Sequence, residues 1–366
     1  MKFNINREEL LPALQVISGV VERRQTLPIL SNVLLKVSDK GLLLTGTDME
    51  VELMTTIPGD FGESEETTLP ARKLLDICRT LPESSEISLS IRNDKAVLTS
   101  GKSRFTLTTL PAQEYPLIDD LAVVAELEMS QNKLKSLLDK TAFAMAQQDV
   151  RYYLNGMLLE LEQDKLRAVA TDGHRLALCD ATLEQGVDEA IQVIVPRKGI
   201  SELIRLFHDS DELARVQVCK NHVRISWANF QFTSKLIDGK FPDYTRVIPE
   251  AGKFPVKADR ELLRQSLTRA SILSNEKYRG VRILLEENRM RALAHNPEQE
   301  EAEEELQVEY DGSEMEIGFN VSYLLDALGI IKTDSVILTV SDPNSSCLIL
   351  PEDGSQSKYV VMPMRL

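Results

Sequence analysis

Four short patterns recur in the same order three times along the 366-residue chain, and this repeat limits the fold more than any other feature. Each copy opens on a short alternating strand that runs into an amphipathic helix. The openings are "MKFNINREELLPALQVISGVV", "LEMSQNKLKSLLDKTAFAMA" and "FPVKADRELLRQSLTRASIL", aligned on Phe3, Leu127 and Phe254. A polar N-cap candidate (Asn6, Ser130, Asp259) precedes leucines at helical spacing in each. The second pattern is strand, polar turn, strand, polar break, strand, as in "LPILSNVLLKVSDKGLLLTGTDMEVELMT" and "YYLNGMLLELEQDKLRAVATDGHRLALCD". A second helix follows in "LPARKLLDICRTLP", "VPRKGISELIRLFH" and "FNVSYLLDALGIIK", with Pro70 and Pro196 where a helix start tolerates proline. "SRFTLTTLPAQEYP", "FQFTSKLIDGKFPDY" and "SKYVVMPMRL" close the copies.

The repeat predicts an α+β protein of three similar domains, 1–124, 125–251 and 252–366, with linkers near "IDDLAVVAEL" and "VIPEAGKFPV". Six helices are expected, over 7–20, 71–81, 131–146, 197–207, 259–274 and 320–333.

"TDGHRLAL" in the middle copy looks most like an active site, because Asp172, His174 and Arg175 surround a flexible Gly173. Its counterpart in the first copy, Thr47-Asp48, has no histidine. A shared Thr-Asp turn, in which the carboxylate bonds nearby backbone N–H groups, explains Asp172 without chemistry. Gly173, His174 and Arg175 then remain for a partner pocket flanked by Leu154, Leu176 and Val247. A hydrolase built on Asp172 and His174 is the enzyme alternative, although no nucleophile or metal set accompanies them in sequence.

Other chemistries find little support. Cys78, Cys179, Cys219 and Cys347 form no paired motif, and His174, His208, His222 and His295 show no ligand spacing. No glycine-rich phosphate loop occurs, so neither metal nor cofactor is expected. The charged, periodic N-terminus does not read as a signal peptide, and no run of 18 apolar residues occurs. These features point to a cytoplasmic protein.

Charge is segregated by element. The chain carries a formal charge of −15, yet the six expected helices sum to a positive value. Arg72, Lys73 and Arg79 in one second helix, and Arg197, Lys198 and Arg205 in the next, suggest helices that face phosphate without reading bases. "NPEQEEAEEEL" is the acidic extreme. Complementary patches at opposite ends of a chain favour head-to-tail association, which can close a ring. The expected seam pairs Phe105 and Leu107 with Ile272 and Leu273, and Lys73, Lys102 and Arg104 with Glu298, Glu300, Glu301 and Glu304.

"QDVRYYLNGML" (148–158), "VATDGHRLA" (169–177), "SNEKYRGVR" (274–282), "HNPEQEEAEE" (295–304), "EMEIGFNVSYLLD" (314–326) and the terminal "YVVMPMRL" are similar, end to end, to bacterial DNA polymerase III β subunits, the sliding clamps. The resemblance implies a head-to-tail homodimer, a closed ring with helices inside and sheets outside. Such a ring encircles duplex DNA regardless of sequence and has no catalytic site of its own. Implied partners are the replicative polymerase, clamp-loader subunits, other polymerases and repair proteins. The family's peptide pocket carries over onto Leu154, Thr171, Gly173, His174, Arg175, Leu176, Pro242, Arg246 and Val247. It continues through Asn320, Tyr323, Ser346, Val360, Met362, Pro363, Met364, Arg365 and Leu366. Asn344 departs from the small apolar residue expected beside it. DNA contacts carry over onto Arg24, Gln148, Tyr152, Tyr153 and Lys198, and the helix charges add Arg72, Arg79, Arg197 and Arg205. An acidic scaffold that never touches DNA is the other alternative.

Overall fold

The computed structural model describes every residue except 22–26, 93, 119–120, 185–186, 188, 250–253 and 366. Among the described residues each copy holds eight strands and two α-helices in one order. The first copy runs β1 (Lys2–Asn6), α1 (Arg7–Ile17), β2 (Asn32–Ser38), β3 (Gly41–Thr47), β4 (Val51–Ile57), β5 (Glu66–Pro70), α2 (Ala71–Thr80), β6 (Glu86–Arg92), β7 (Lys95–Ser100) and β8 (Ser103–Thr108). The second runs β9 (Val123–Ser130), α3 (Gln131–Ala142), β10 (Gly156–Leu161), β11 (Lys165–Thr171), β12 (Arg175–Thr182), β13 (Ile191–Pro196), α4 (Arg197–Leu206), β14 (Leu213–Cys219), β15 (His222–Trp227) and β16 (Phe230–Lys235). The third runs β17 (Val256–Asp259), α5 (Arg260–Ser271), β18 (Gly280–Glu286), β19 (Arg289–His295), β20 (Glu301–Gln307), β21 (Met315–Asn320), α6 (Val321–Ile330), β22 (Ser335–Thr339), β23 (Cys347–Pro351) and β24 (Ser357–Val361).

Strand pairing joins the copies. One antiparallel sheet has the order β5-β2-β3-β4-β16-β15-β14-β9, and another β13-β10-β11-β12-β24-β23-β22-β17. Four-stranded sheets β1-β6-β7-β8 and β20-β19-β18-β21 complete the set. Compactness follows the sheets rather than the copies. One unit comprises Met1–Asn132 with Lys198–Leu236, the other Lys133–Arg197 with Ile237–Leu366.

Each helix buries one stripe. In α1 this is Leu10, Ala13, Leu14 and Ile17, and in α2 it is Ala71, Leu74, Leu75 and Cys78. Those spacings put apolar side chains on one face and leave Arg72, Lys73 and Arg79 exposed on the other. The six helices lie where the periodicity puts them, but the first helix of each copy ends about three residues early. There the chain tightens into i to i−3 bonding: Gly19 N–H to Val16 O (3.2 Å), Ala144 N–H to Thr141 O (3.1 Å) and Ile272 N–H to Arg269 O (3.1 Å). That tightening releases Ile272 from the helix and leaves it 73% exposed. The third opening also needs correction. Val256, buried to 1%, takes the place of Phe3 and Leu127, whereas Phe254 is 46% exposed. Counting back from the N-caps Asn6 and Asp259 would have given this register.

Candidate functional site

Thr171 and Asp172 build a tight turn between β11 and β12. The Asp172 carboxylate accepts the backbone N–H groups of His174 (2.9 Å) and Arg175 (3.0 Å). Thr171 Oγ1 donates to Arg175 O (2.6 Å) and accepts the Gly173 N–H (3.0 Å). The first copy repeats every bond. Asp48 accepts from Glu50 (2.9 Å) and Val51 (2.7 Å), while Thr47 Oγ1 donates to Val51 O (2.9 Å) and accepts from Met49 (3.0 Å). The turn forces a left-handed residue, Met49 at φ 75° and Gly173 at φ 88°. A Cβ on Gly173 would lie 2.9 Å from Arg151 Nη1. Glycine therefore lets Arg151 cross the turn and donate to Asp172 O (3.1 Å) while it forks onto Asp149 (3.0 and 2.8 Å). That fork holds the Asp149 carboxyl down to about 2.

Asp172 does not orient the His174 ring, because its oxygens hold the turn and Arg175 Nε (3.1 Å). The imidazole stacks on Tyr323 of α6, with centroids 6.4 Å apart and planes 17° from parallel. Arg175 lies 4.7 Å from the Tyr323 ring centre and 5.3 Å from that of Phe143. It also donates to Phe143 O (2.8 Å) and pairs with Asp326. Clamped by two rings and two carboxylates, Arg175 is a fixed wall. Burial raises the pKa of the Tyr323 hydroxyl, with nearby Asp172 adding to it.

The floor beside this wall is apolar. Leu154, Leu176, Val360, Phe241 and Tyr244 belong to one buried cluster, and Tyr153 and Val247 pack against it. Pro242 and Arg246 are exposed, and Arg246 pairs with Asp243 at 2.7 Å. The chain end is laid across the site. Leu176 pairs with Val360, Met362 N–H donates to His174 O (2.9 Å), and Met364 N–H donates to Gly318 O (2.8 Å). Ser346 Oγ reaches Met362 Sδ (3.0 Å), tying the β22–β23 connection to the same edge. Asn320 caps α6 by accepting the Ser322 N–H (2.9 Å), three residues before Tyr323. Asn344 is exposed in a turn, its N–H on Asp342 (2.8 Å). Pro363 is half-buried, Arg365 is exposed, and Leu366 lies outside the described residues. Phe143, Arg151 and Asp326 escape the sequence reading. Asp326, three residues after Tyr323 on one helix face, carried a legible signal.

The helix cations divide into two groups. Arg197 donates to Met145 O (2.9 Å), Lys198 pairs with Asp48, and Arg205 holds Glu202 (2.9 Å) and Val16 O (3.2 Å). These side chains have structural partners, so the helix charge overstates what α4 offers to solvent. Arg72 and Arg79 are exposed, as are Gln148 and Tyr152, while Tyr153 is half-buried. Arg24 lies outside the described residues.

Seam candidates lie on two sheet edges. β8 is an edge strand with Lys102 and Arg104 exposed, Phe105 half-buried and Leu107 buried; Lys73 is exposed on α2. β20 is also an edge strand. Glu298, Glu300 and Glu301 are exposed, and Leu273 is half-buried. Glu304 is already forked by Arg269 of its own chain (2.8 and 2.5 Å).

Tandem α+β repeats joined strand to strand, with a turn whose acid serves its own backbone, define a scaffold of the DNA-clamp class. The comparisons agree. The chain matches the N-terminal, central and C-terminal domains of the DNA polymerase III beta subunit over residues 1–119, 128–243 and 245–365. It is 54% identical to the beta sliding clamp of Pseudomonas aeruginosa and 50% identical to that of Escherichia coli, with all of each chain covered. The crystal structure of the Pseudomonas aeruginosa DNA polymerase III subunit beta superimposes with a TM-score of 0.98 at 53% identity, covering both chains in full. A sliding clamp from that organism bound to griselimycin gives 0.97 at 54% identity, again over both full chains. The chain belongs to the DNA polymerase III beta subunit family, the sliding clamps that serve as processivity factors in DNA replication.

Proposed function

We propose that two copies close head to tail into a ring around duplex DNA. The observation that carries this is a junction made twice and left open once. β4 pairs with β16, placing Glu52 opposite Thr233; β12 pairs with β24, placing Leu176 opposite Val360. Glu52, Leu176 and Glu301 are equivalent, since each faces the end of the preceding strand at Thr47, Thr171 and His295. Phe105, Phe232 and Tyr359 are equivalent on the other side, so Thr106 matches Thr233 and Val360. The third junction then pairs β20 with β8 of a second copy. Thr106 meets Glu301, Phe105 meets Ala302, and Arg104 meets Glu303. This keeps the expected seam but moves the partner of Arg104 to Glu303, leaving Glu304 with Arg269. The test is oxidative cross-linking of a Thr106→Cys, Glu301→Cys chain. A covalent dimer is expected, and none from Thr106→Cys with Glu303→Cys, because the four native cysteines are buried. The opposite pattern would refute the register.

The domains are taken as 1–124, 125–251 and 252–366. The groove around His174 and Met362 holds short peptide segments of the replicative polymerase, clamp-loader subunits and other DNA-processing proteins. Support comes from its apolar floor, its fixed aromatic and guanidinium wall, and the relative bound to griselimycin. The clamp acts without chemistry of its own, since Asp172 is committed to backbone N–H groups and Arg175. Direct DNA contacts from Arg24, Arg72, Arg79, Gln148, Tyr152, Tyr153 and the α4 cations are few and blind to sequence. Retention therefore comes from topology. A loaded clamp should persist on a closed circle and slide off linear DNA; equal retention on both would refute encirclement.

A further inference from the structure

The segment that carries Pro242, Arg246 and Val247 has a polar anchor beneath it. Its 3₁₀ turn, Tyr244–Val247, begins at a tyrosine only 6% exposed. The phenol donates to the buried Glu160 carboxylate and accepts from Arg167 Nη1 (3.2 Å). Glu160 stands on β10 between Gln192 of β13 and Arg167 of β11. Gln192 donates to its other oxygen, and Arg167 forks onto Asp180 of β12 (2.6 and 2.8 Å). A polar row thus crosses four strands, and Tyr244 ties it to the segment above. Apolar packing alone would accept phenylalanine here. The hydroxyl matters because a buried carboxylate that loses a donor is costly, and because its direction fixes where the turn sits. Burial first, then the Glu160 bond, pushes the Tyr244 pKa up to about 12, so the group remains a donor at neutral pH.

We propose that Tyr244 is a positioning residue for the peptide pocket: its bond to Glu160 seats the 3₁₀ turn and so holds Val247 on the apolar cluster of Leu154, Leu176 and Val360, with Pro242 and Arg246 at the exposed rim. This rests on the peptide-pocket reading above. Tyr244 itself lies under the pocket and acts through its neighbours.

The experiment titrates a labelled C-terminal peptide of the replicative polymerase against the full-length protein, in wild type, Tyr244→Phe, Val247→Ala, Asn320→Ala and the double variants. Tyr244→Phe should weaken binding about tenfold at temperatures far below its melting transition. Adding Val247→Ala should cost little more, because the displaced turn has already withdrawn Val247. Asn320→Ala, at the cap of α6 and away from the turn, should add its full effect. Amide hydrogen exchange over 245–248 should quicken in Tyr244→Phe without change in α6. Unchanged affinity in Tyr244→Phe, or full additivity with Val247→Ala, would overturn the positioning role while leaving the pocket intact. Wild-type protein that fails to bind the peptide would instead overturn the pocket reading, and the proposal with it.

Discussion

Ile272→Ala is the sharpest test of the seam, because the side chain is 73% exposed in the chain itself and owes the monomer little. The seam expected from the sequence sets Phe105 of a second copy against it. Truncation to alanine then removes apolar groups from the seam at a cost of about 2 kcal/mol when they are buried. A two-fold ring contains the seam twice, so the dimer loses about 4 kcal/mol. At about 1.4 kcal/mol per decade, the dissociation constant should rise by roughly a thousandfold. Leu273→Ala is a poorer probe, since Leu273 is half-buried in its own chain and its loss would also weaken the fold. Sedimentation velocity across a dilution series reads the result directly, as a 41.1 kDa species replacing one of twice that mass. Circular dichroism melts should show that the monomer stays folded. A dimer constant within threefold of wild type would refute the seam, because no placement of Phe105 against Ile272 tolerates that loss.

Deleting residues 362–366 should abolish binding of the polymerase peptide while sedimentation still reports the dimer, since the removed segment borders His174 and Gly318 and not β8 or β20. Asp172→Ala should lower stability by about 1–3 kcal/mol in chemical denaturation, because two backbone N–H groups and Arg175 lose their acceptor. Asp172→Asn should recover much of that, because the amide oxygen can still accept the His174 and Arg175 N–H groups. The Asp149 carboxyl, held near 2 by Arg151, should titrate by NMR well below an ordinary aspartate. Its depressed value makes the pairing favourable above the unfolded pKa of about 3.9 and lost as pH falls through about 2. Arg151→Ala should return it to the ordinary range.

The repeat was legible because it is written in period: leucines at helical spacing, alternation in the strands and a cap between them survive three divergent copies. The Thr-Asp turn was legible for the same reason, since its carboxylate bonds backbone that any sequence supplies. Strand junctions were harder. Nothing in β4 or β16 taken alone names its neighbour, and pairing across some 180 residues is decided by which edges remain once each copy has formed its hairpins. Charge counting misled in one respect, for Lys198 and Arg205 look free in sequence and are held by Asp48, Glu202 and Val16 O in the fold.

Why the proposed peptide site falls on the middle copy follows from what occupies the equivalent place elsewhere among the described residues. In the first copy the strand position of Leu176 is Glu52, buried to 2%, and its carboxylate accepts the Ile118 N–H at 2.9 Å. Tyr115, the counterpart of Phe241, sends its hydroxyl down to Asn32 O (3.2 Å) and Thr45 O (3.1 Å). Polar bonds pull that strap onto the sheet, and Lys198 pairs with Asp48 at the turn, whereas in the second copy His174 of the turn stacks on Tyr323. The third copy places Glu301 at the same position on an open edge, where a leucine would invite aggregation and a carboxylate discourages it. One backbone site thus has three side chains and three fates. Glutamate bonded inward closes the first junction, leucine leaves an apolar floor at the second, and glutamate facing outward stands on the open edge proposed to pair with another copy of the chain.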